Sequence, residues 1–278
     1  MDHAEHHGSY YTPPPSPWPV VGSLALLTLA SGFVLLLAKQ ASGPWVMGAG
    51  ALLLAVMLFG WFGQVIREHQ AGLTEGAVDK SFRWGMVWFI FSEVMFFAGF
   101  FGALFYARNI AQPLLADAQA LWPGYTGHWP TLGPGLAGSL EPMAPWGIPA
   151  INTLILLSSG ATVTWAHWGL KADRRGQLLA GLATTIGLGV LFLGLQLHEY
   201  AIAPFTLKSG IYGTTFFMLT GFHGLHVTLG AIMLSVIFGR ALAGHFRPDS
   251  HFAFEAVAWY WHFVDVVWLM LFVFVYWL

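Results

Sequence analysis

Apolar positions in this chain run together instead of alternating. Mainly apolar stretches of roughly 20 residues or more lie at about 18 to 38, 44 to 66, 83 to 107, 148 to 168, 177 to 199, 211 to 239 and 253 to 277; about 20 helical residues cover a hydrocarbon core of ~30 Å. A strand of a membrane barrel would show about ten residues of strict alternation instead. The pattern predicts an all-α integral membrane protein with seven transmembrane helices, each satisfying its own backbone hydrogen bonds.

Polar stretches between the spans set the organisation. Residues 1–17, within "MDHAEHHGSYYTPPPSPWP", are rich in His and Pro and read as a short extramembrane arm. The arm lacks the basic start and apolar core of a signal peptide, and nothing fixes its three histidines as metal ligands. "REHQAGLTEGAVDK" supplies a mixed-charge loop over residues 67–82. A Pro- and Gly-rich stretch, "WPGYTGHWPTLGPGLAGSLEPMAPWG", belongs to an irregular loop at about 109–147 with tryptophans suited to the membrane interface. The first two spans carry almost no ionisable side chains, whereas the other five carry all the buried ones. The chain therefore divides into a two-helix bundle, 18–66, and a five-helix bundle, 83–278. Seven spans without an internal repeat argue against the inverted repeats of secondary transporters.

Composition makes the bilayer the solvent: 56% of residues are hydrophobic and 9% charged, against about 25% charged in soluble domains. With the N-terminus inside, the inner loops hold Arg67, Lys80, Arg83, Lys171, Arg174, Arg175, Arg240 and Arg247, and the outer ones Lys39, Arg108 and Lys208. That bias predicts an inside N-terminus and an outside C-terminus. Zero cysteines exclude disulfides, thiolate metal sites and a Cys nucleophile. A net charge of −2 and the lack of a basic run give no reason to expect a nucleic-acid partner. No phosphate-cradling Gly-Lys motif, nucleophile elbow or His-Glu-x-x-His is present.

Candidate chemistry rests on polar residues inside the spans. Glu93 in "FIFSEVMFF" lies ten residues beyond Arg83, which is ~15 Å into the membrane. Its helical neighbours Phe89, Ile90, Phe96 and Phe97 offer no hydrogen bond, so the neutral acid is expected. The same rise puts His226 at ~20 Å, His262 at ~14 Å and Asp265 at ~18 Å, one buried polar layer with Glu93. His167 falls near the inner surface, and His198 with Glu199 near the outer one. His223 shares a face with His226, and Glu255 and Trp259 share one with His262 and Asp265. Two readings stay open: a haem or metal site built on imidazole, or polar groups that satisfy one another between closely packed helices. For Glu93, an ion or proton pathway competes with a hydrogen-bonded structural acid.

Four stretches, "RWGMVWFIFSEVMFFAGFF", "PAINTLILLSSGATVTWAHW", "YGTTFFMLTGFHGLHVTLG" and "FEAVAWYWHFVDVVWLMLFVFVYWL", resemble subunit III of haem-copper cytochrome c oxidase in the same order. The resemblance implies two bundles separated by a lipid-filled cleft, in a chain without haem or copper that is not itself catalytic. It implies packing against subunit I, with subunit II and other oxidase subunits in the complex. Those partners would carry the haem and copper, and the complex would pass electrons from cytochrome c to oxygen and pump protons. The chain's part would be to stabilise subunit I, support proton uptake and protect the complex during turnover. Bound phospholipid is implied at Trp61, Arg67 and Glu68 of "GWFGQVIRE" and at Arg240 of "FGRALAGHF". Departures are Trp168, where the family usually has a second His, and Thr74, the nearest match to its His-Thr-Pro. The alternatives are a haem-bearing membrane anchor and a proton-conducting membrane protein. A bacterial plasma membrane is expected in preference to the mitochondrial inner membrane.

Overall fold

The structure, a computed structural model, describes residues 11–136 and 140–278; the three histidines of the N-terminal arm lie outside the described residues. The chain is helical, with no strand among the described residues. The helices are α1 (Trp18–Leu37), α2 (Gly43–Gln70), α3 (Ala77–Tyr106), α4 (Gln112–Asp117), α5 (Ile148–Lys171), α6 (Arg175–Ile202), α7 (Gly210–Leu242) and α8 (Phe252–Leu271). Wider π turns join α3 to α4 over Ala107–Ala111 and extend α8 over Phe272–Trp277. With α4 counted as the end of α3, seven helices among the described residues are long and apolar enough to cross a membrane.

Two expected boundaries are corrected. The loop at 67–82 shrinks to six residues, because α2 runs on to Gln70 and α3 begins at Ala77. Arg, Glu, Gln and Lys are good helix formers, so the helices continue past the apolar stretch. The outer connection, expected from about 109, starts after Asp117, because the π turn at Ala107–Ala111 and the short α4 carry the helix on. Pro in the first turn begins α1, α2 and α5, where its missing N–H has no intrahelical acceptor to lose. The end of α1 closes with Gln40 N–H on the Leu35 carbonyl and Lys39 N–H on that of Leu36. This closure needs a left-handed residue, here Lys39 at φ 57°.

Contacts divide the chain into two compact units, Met1–Phe82 and Arg83–Leu278. In the first, α1 and α2 pack through small residues. A Cβ on Gly50 would come 2.5 Å from the backbone nitrogen of Leu29, and one on Gly32 would overlap Met47. Hydrocarbon gives apolar helices no solvent-driven reason to associate, so dispersion at close approach holds such a pair. At the other end of this pair the Trp18 ring covers Gly60, and its Nε1–H donates to Gln64 Oε1 at 2.9 Å.

In the second unit α8 is the central element. Trp261 and Trp268, seven residues apart on one face, are fully enclosed. Each indole N–H reaches a hydroxyl on α5: Trp261 donates to Ser159 and Trp268 to Thr153, both at 2.9 Å. Gly189 of α6 and Gly230 of α7 leave room for the Trp261 ring; a Cβ would come within 2.7 and 2.8 Å of it. Large apolar side chains remain exposed on the outer faces of the helices, the surface a bilayer or another subunit covers.

Gly50→Val tests the close approach of α1 and α2. Overpacking by a branched side chain costs about 1–3 kcal/mol, so the chain's thermal unfolding midpoint in detergent falls, while Gly48→Val, with no atom within 4 Å of the new Cβ, leaves it unchanged. Equal midpoints for the two variants would remove the glycine contact from this account.

Candidate functional site

Glu93 and His226 meet between α3 and α7. Glu93 Oε2 lies 2.8 Å from His226 Nε2, and His226 Nδ1 lies 2.6 Å from the carbonyl of Phe222. A carbonyl only accepts, so Nδ1–H is the donor and the neutral imidazole presents a bare Nε2 to the carboxyl group. One proton is therefore shared between acid and ring, either on Glu93 or as an imidazolium–carboxylate pair. Phe96, Phe97, Tyr260 and Phe263 surround the His226 ring, with Phe97 closest at 4.9 Å between centroids. The lack of hydrogen-bonding neighbours on α3 is made good from α7, which single-helix spacing does not reveal. Glu93 is half-buried, not enclosed.

His262 and Asp265 form a second pair elsewhere on α8. His262 Nδ1 sits 3.5 Å from Asp265 Oδ2, and His262 Nε2 sits 3.2 Å from Thr164 Oγ1 of α5. Asp265 is buried against Gly160, where a Cβ would overlap its Oδ2, and its Oδ1 lacks a hydrogen-bond partner. The buried layer is corrected here: the His262 side chain is 46% exposed. Similar depth along parallel helices does not fix the direction in which a side chain projects.

His223 is fully enclosed by α6 and α8. Its Nε2–H donates to the Val264 carbonyl at 3.2 Å, and its ring packs against Phe192 and Trp268. Its Nδ1 has no hydrogen-bond partner, whereas both nitrogens of His226 are engaged.

Glu255 belongs to a different group, at the end where α5 finishes and α8 begins. Its Oε2 accepts from Arg83, while its Oε1 faces His251 and His167. Arg240 is buried at the end of α7, with its guanidinium 4.7 Å from the Phe246 ring centroid. Trp61 and Arg67 are exposed on α2, and Glu68, partly buried, accepts from Gln64 at 2.8 Å.

Sequence reasoning placed Glu199 near the outer surface and went no further. The structure encloses it completely in a polar group with Gln196, Tyr200, Thr220 and Tyr276. Gln196 and Glu199, three apart on α6, were the available sign. Thr162 and Thr185, joined across α5 and α6 at 2.8 Å, had no sign beyond being small and polar.

The sequence model of cytochrome c oxidase subunit III matches residues 8–278. The chain belongs to that family. It is 43% identical over 278 residues to cytochrome c oxidase subunit 3 of Pongo abelii, covering 100% of this chain and 99% of that protein. Identity and coverage are the same for the subunit of Dasypus novemcinctus. The subunit of Cyprinus carpio is 42% identical at the same coverage. The Glu93–His226 pair and the Trp261–Ser159 contact are thus features of a multi-pass subunit of an oxidase complex.

Glu93→Leu strands the bare Nε2 of His226, and an unsatisfied buried group costs about 1–3 kcal/mol. The unfolding midpoint of the chain falls for Glu93→Leu and stays near wild type for Glu93→Gln, whose amide N–H donates to the same nitrogen. A Leu variant as stable as wild type would show that the pair contributes nothing to stability.

Proposed function

We propose that the chain is the cofactor-free subunit of a proton-pumping terminal oxidase that passes electrons from cytochrome c to oxygen. It packs on subunit I, stabilises that subunit and supports its proton uptake, with subunit II and further oxidase subunits in the same assembly. The observation that carries this reading is the state of the imidazoles in the bundle. His223 and His226 are used in helix-to-helix hydrogen bonds, and the space between α6, α7 and α8 is filled by Phe192, Trp261 and Trp268. That arrangement supports a packing role for the residues a haem anchor would need. Haem and copper then belong to the partner subunits, and the chain alone is not catalytic.

Phospholipid is the proposed non-protein partner. Arg240, buried against Phe246, is a cation at the edge of an apolar surface, a setting suited to a phosphate headgroup. Trp61, Arg67 and Glu68 are proposed as lipid contacts of the α1–α2 pair. The excess of Lys and Arg in alternate connections supports an inside N-terminus and an outside C-terminus. The relatives named above are animal proteins and lend no support to a bacterial over a mitochondrial membrane.

A proton-conducting role is the second reading, because Glu93 and His226 share a proton within the membrane span. Liposomes holding only this chain separate the two: the packing reading expects no proton flux and no haem absorption band. A flux abolished by Glu93→Gln would transfer the assignment to conduction. In the assembled complex, Arg240→Ala lowers the phospholipid retained on purification, and an unchanged phosphorus content would take Arg240 off the lipid contacts.

A further inference from the structure

His167, His251 and Glu255 converge at one end of the second unit, from the last turn of α5, the residue before α8 and the first turn of α8. His167 Nε2 lies 3.2 Å from His251 Nε2 and 3.8 Å from Glu255 Oε1, and His251 Nε2 lies 3.1 Å from the same oxygen. A tetrahedral zinc ion with bonds of about 2.0–2.1 Å holds its ligand atoms about 3.3 Å apart. The three atoms already form nearly one face of such a tetrahedron.

A single proton can satisfy only part of the group. His251 Nδ1 lies 3.1 Å from the Arg247 carbonyl and is therefore the N–H donor, which leaves Nε2 of the neutral ring as a lone pair. That lone pair faces a carboxylate oxygen at 3.1 Å, and two acceptors at this separation repel unless a proton, as in the Glu93–His226 pair, or a metal cation lies between them. One N–H on His167 can satisfy only one of its two neighbours. A divalent ion satisfies all three atoms together.

The outer contacts also resemble those that orient metal ligands. The Arg247 carbonyl sets the His251 tautomer. Arg83 occupies Oε2 of Glu255 and so turns Oε1 toward the histidines. The His167 ring rests on Phe254, 5.2 Å between centroids, and the Arg83 guanidinium lies over Phe252. His251 is buried while His167 and Glu255 are partly open, so a fourth position remains for water or an incoming ligand. Arg83 and Lys171, one turn beyond His167, add positive charge that opposes a cation. They make this an exchangeable site, weaker than a four-ligand structural one.

We infer that His167, His251 and Glu255 form a binding site for a divalent transition-metal ion of the zinc type, with imidazole nitrogen from two ligands and a single carboxylate oxygen. The site uses none of the residues proposed above for lipid, and its test does not depend on the oxidase assignment.

The purified full chain in lipid nanodiscs is titrated with zinc against a chromophoric indicator, and with cobalt as a spectroscopic probe. One saturable site is expected, with the intense visible bands of tetrahedral cobalt. His251→Ala and His167→Gln each weaken zinc binding roughly tenfold or more, and His198→Ala leaves it unchanged. Circular dichroism reports whether each variant keeps its helices, and the wild-type cobalt spectrum alone decides the matter if a variant does not fold. Zinc binding insensitive to both histidines, or a cobalt spectrum with only weak octahedral bands, overturns the proposal.

Discussion

Hydrocarbon forms no hydrogen bonds, and this constraint governs the whole chain. A polar atom carried into the membrane is costly unless it finds a partner on its own helix or on a neighbouring one. The second unit is arranged around such partnerships. Glu93 meets His226, Trp261 meets Ser159, Trp268 meets Thr153, and His223 meets the Val264 carbonyl. These contacts join α3 to α7, α8 to α5 and α7 to α8, so polar side chains specify which helix lies beside which. Apolar surface alone is nearly indifferent to that choice, since lipid tails compete with leucine on equal terms.

Small residues make these partnerships reachable. Hydroxyls on α5 can accept from the indoles of α8 only if the helices approach closely, and Gly160, Gly189 and Gly230 supply the space. In the first unit the same device works with almost no polar partner, through Gly32 and Gly50. The large rings fill the volume that the glycines vacate, and this couples packing density to hydrogen-bond geometry.

Ionisable groups gather at the helix ends, where water competes and side chains are freer. There the same residue types take on a different character. Glu255 divides its two oxygens between Arg83 and a pair of histidines, and His251 holds its tautomer through a backbone carbonyl. His167 and Glu255 in this group are partly open to the surroundings, whereas His223 in the core is fully enclosed. The subunit thus combines a closed, packed interior with a chemically open edge.

Seven spans, their order and most of their limits were legible because continuous apolar runs of membrane length have few other solutions. Family membership was legible too, in four long stretches of aromatic and polar residues. The errors came from one-dimensional reasoning. The connection between α2 and α3 was drawn too long because charge was taken as the end of helix, and His262 was placed in a buried layer on depth alone. Depth follows from counting residues, but direction depends on how a helix rotates against its neighbours. The Glu93 partner, the enclosure of Glu199 and the meeting of His167 with His251 and Glu255 all join residues from separate helices or helix ends. Sequence by itself determined which residues enter the membrane and on which helix. Tertiary packing decided which of them meet, because pairing between helices is set by rotation and close approach, and neither leaves a local pattern in the chain.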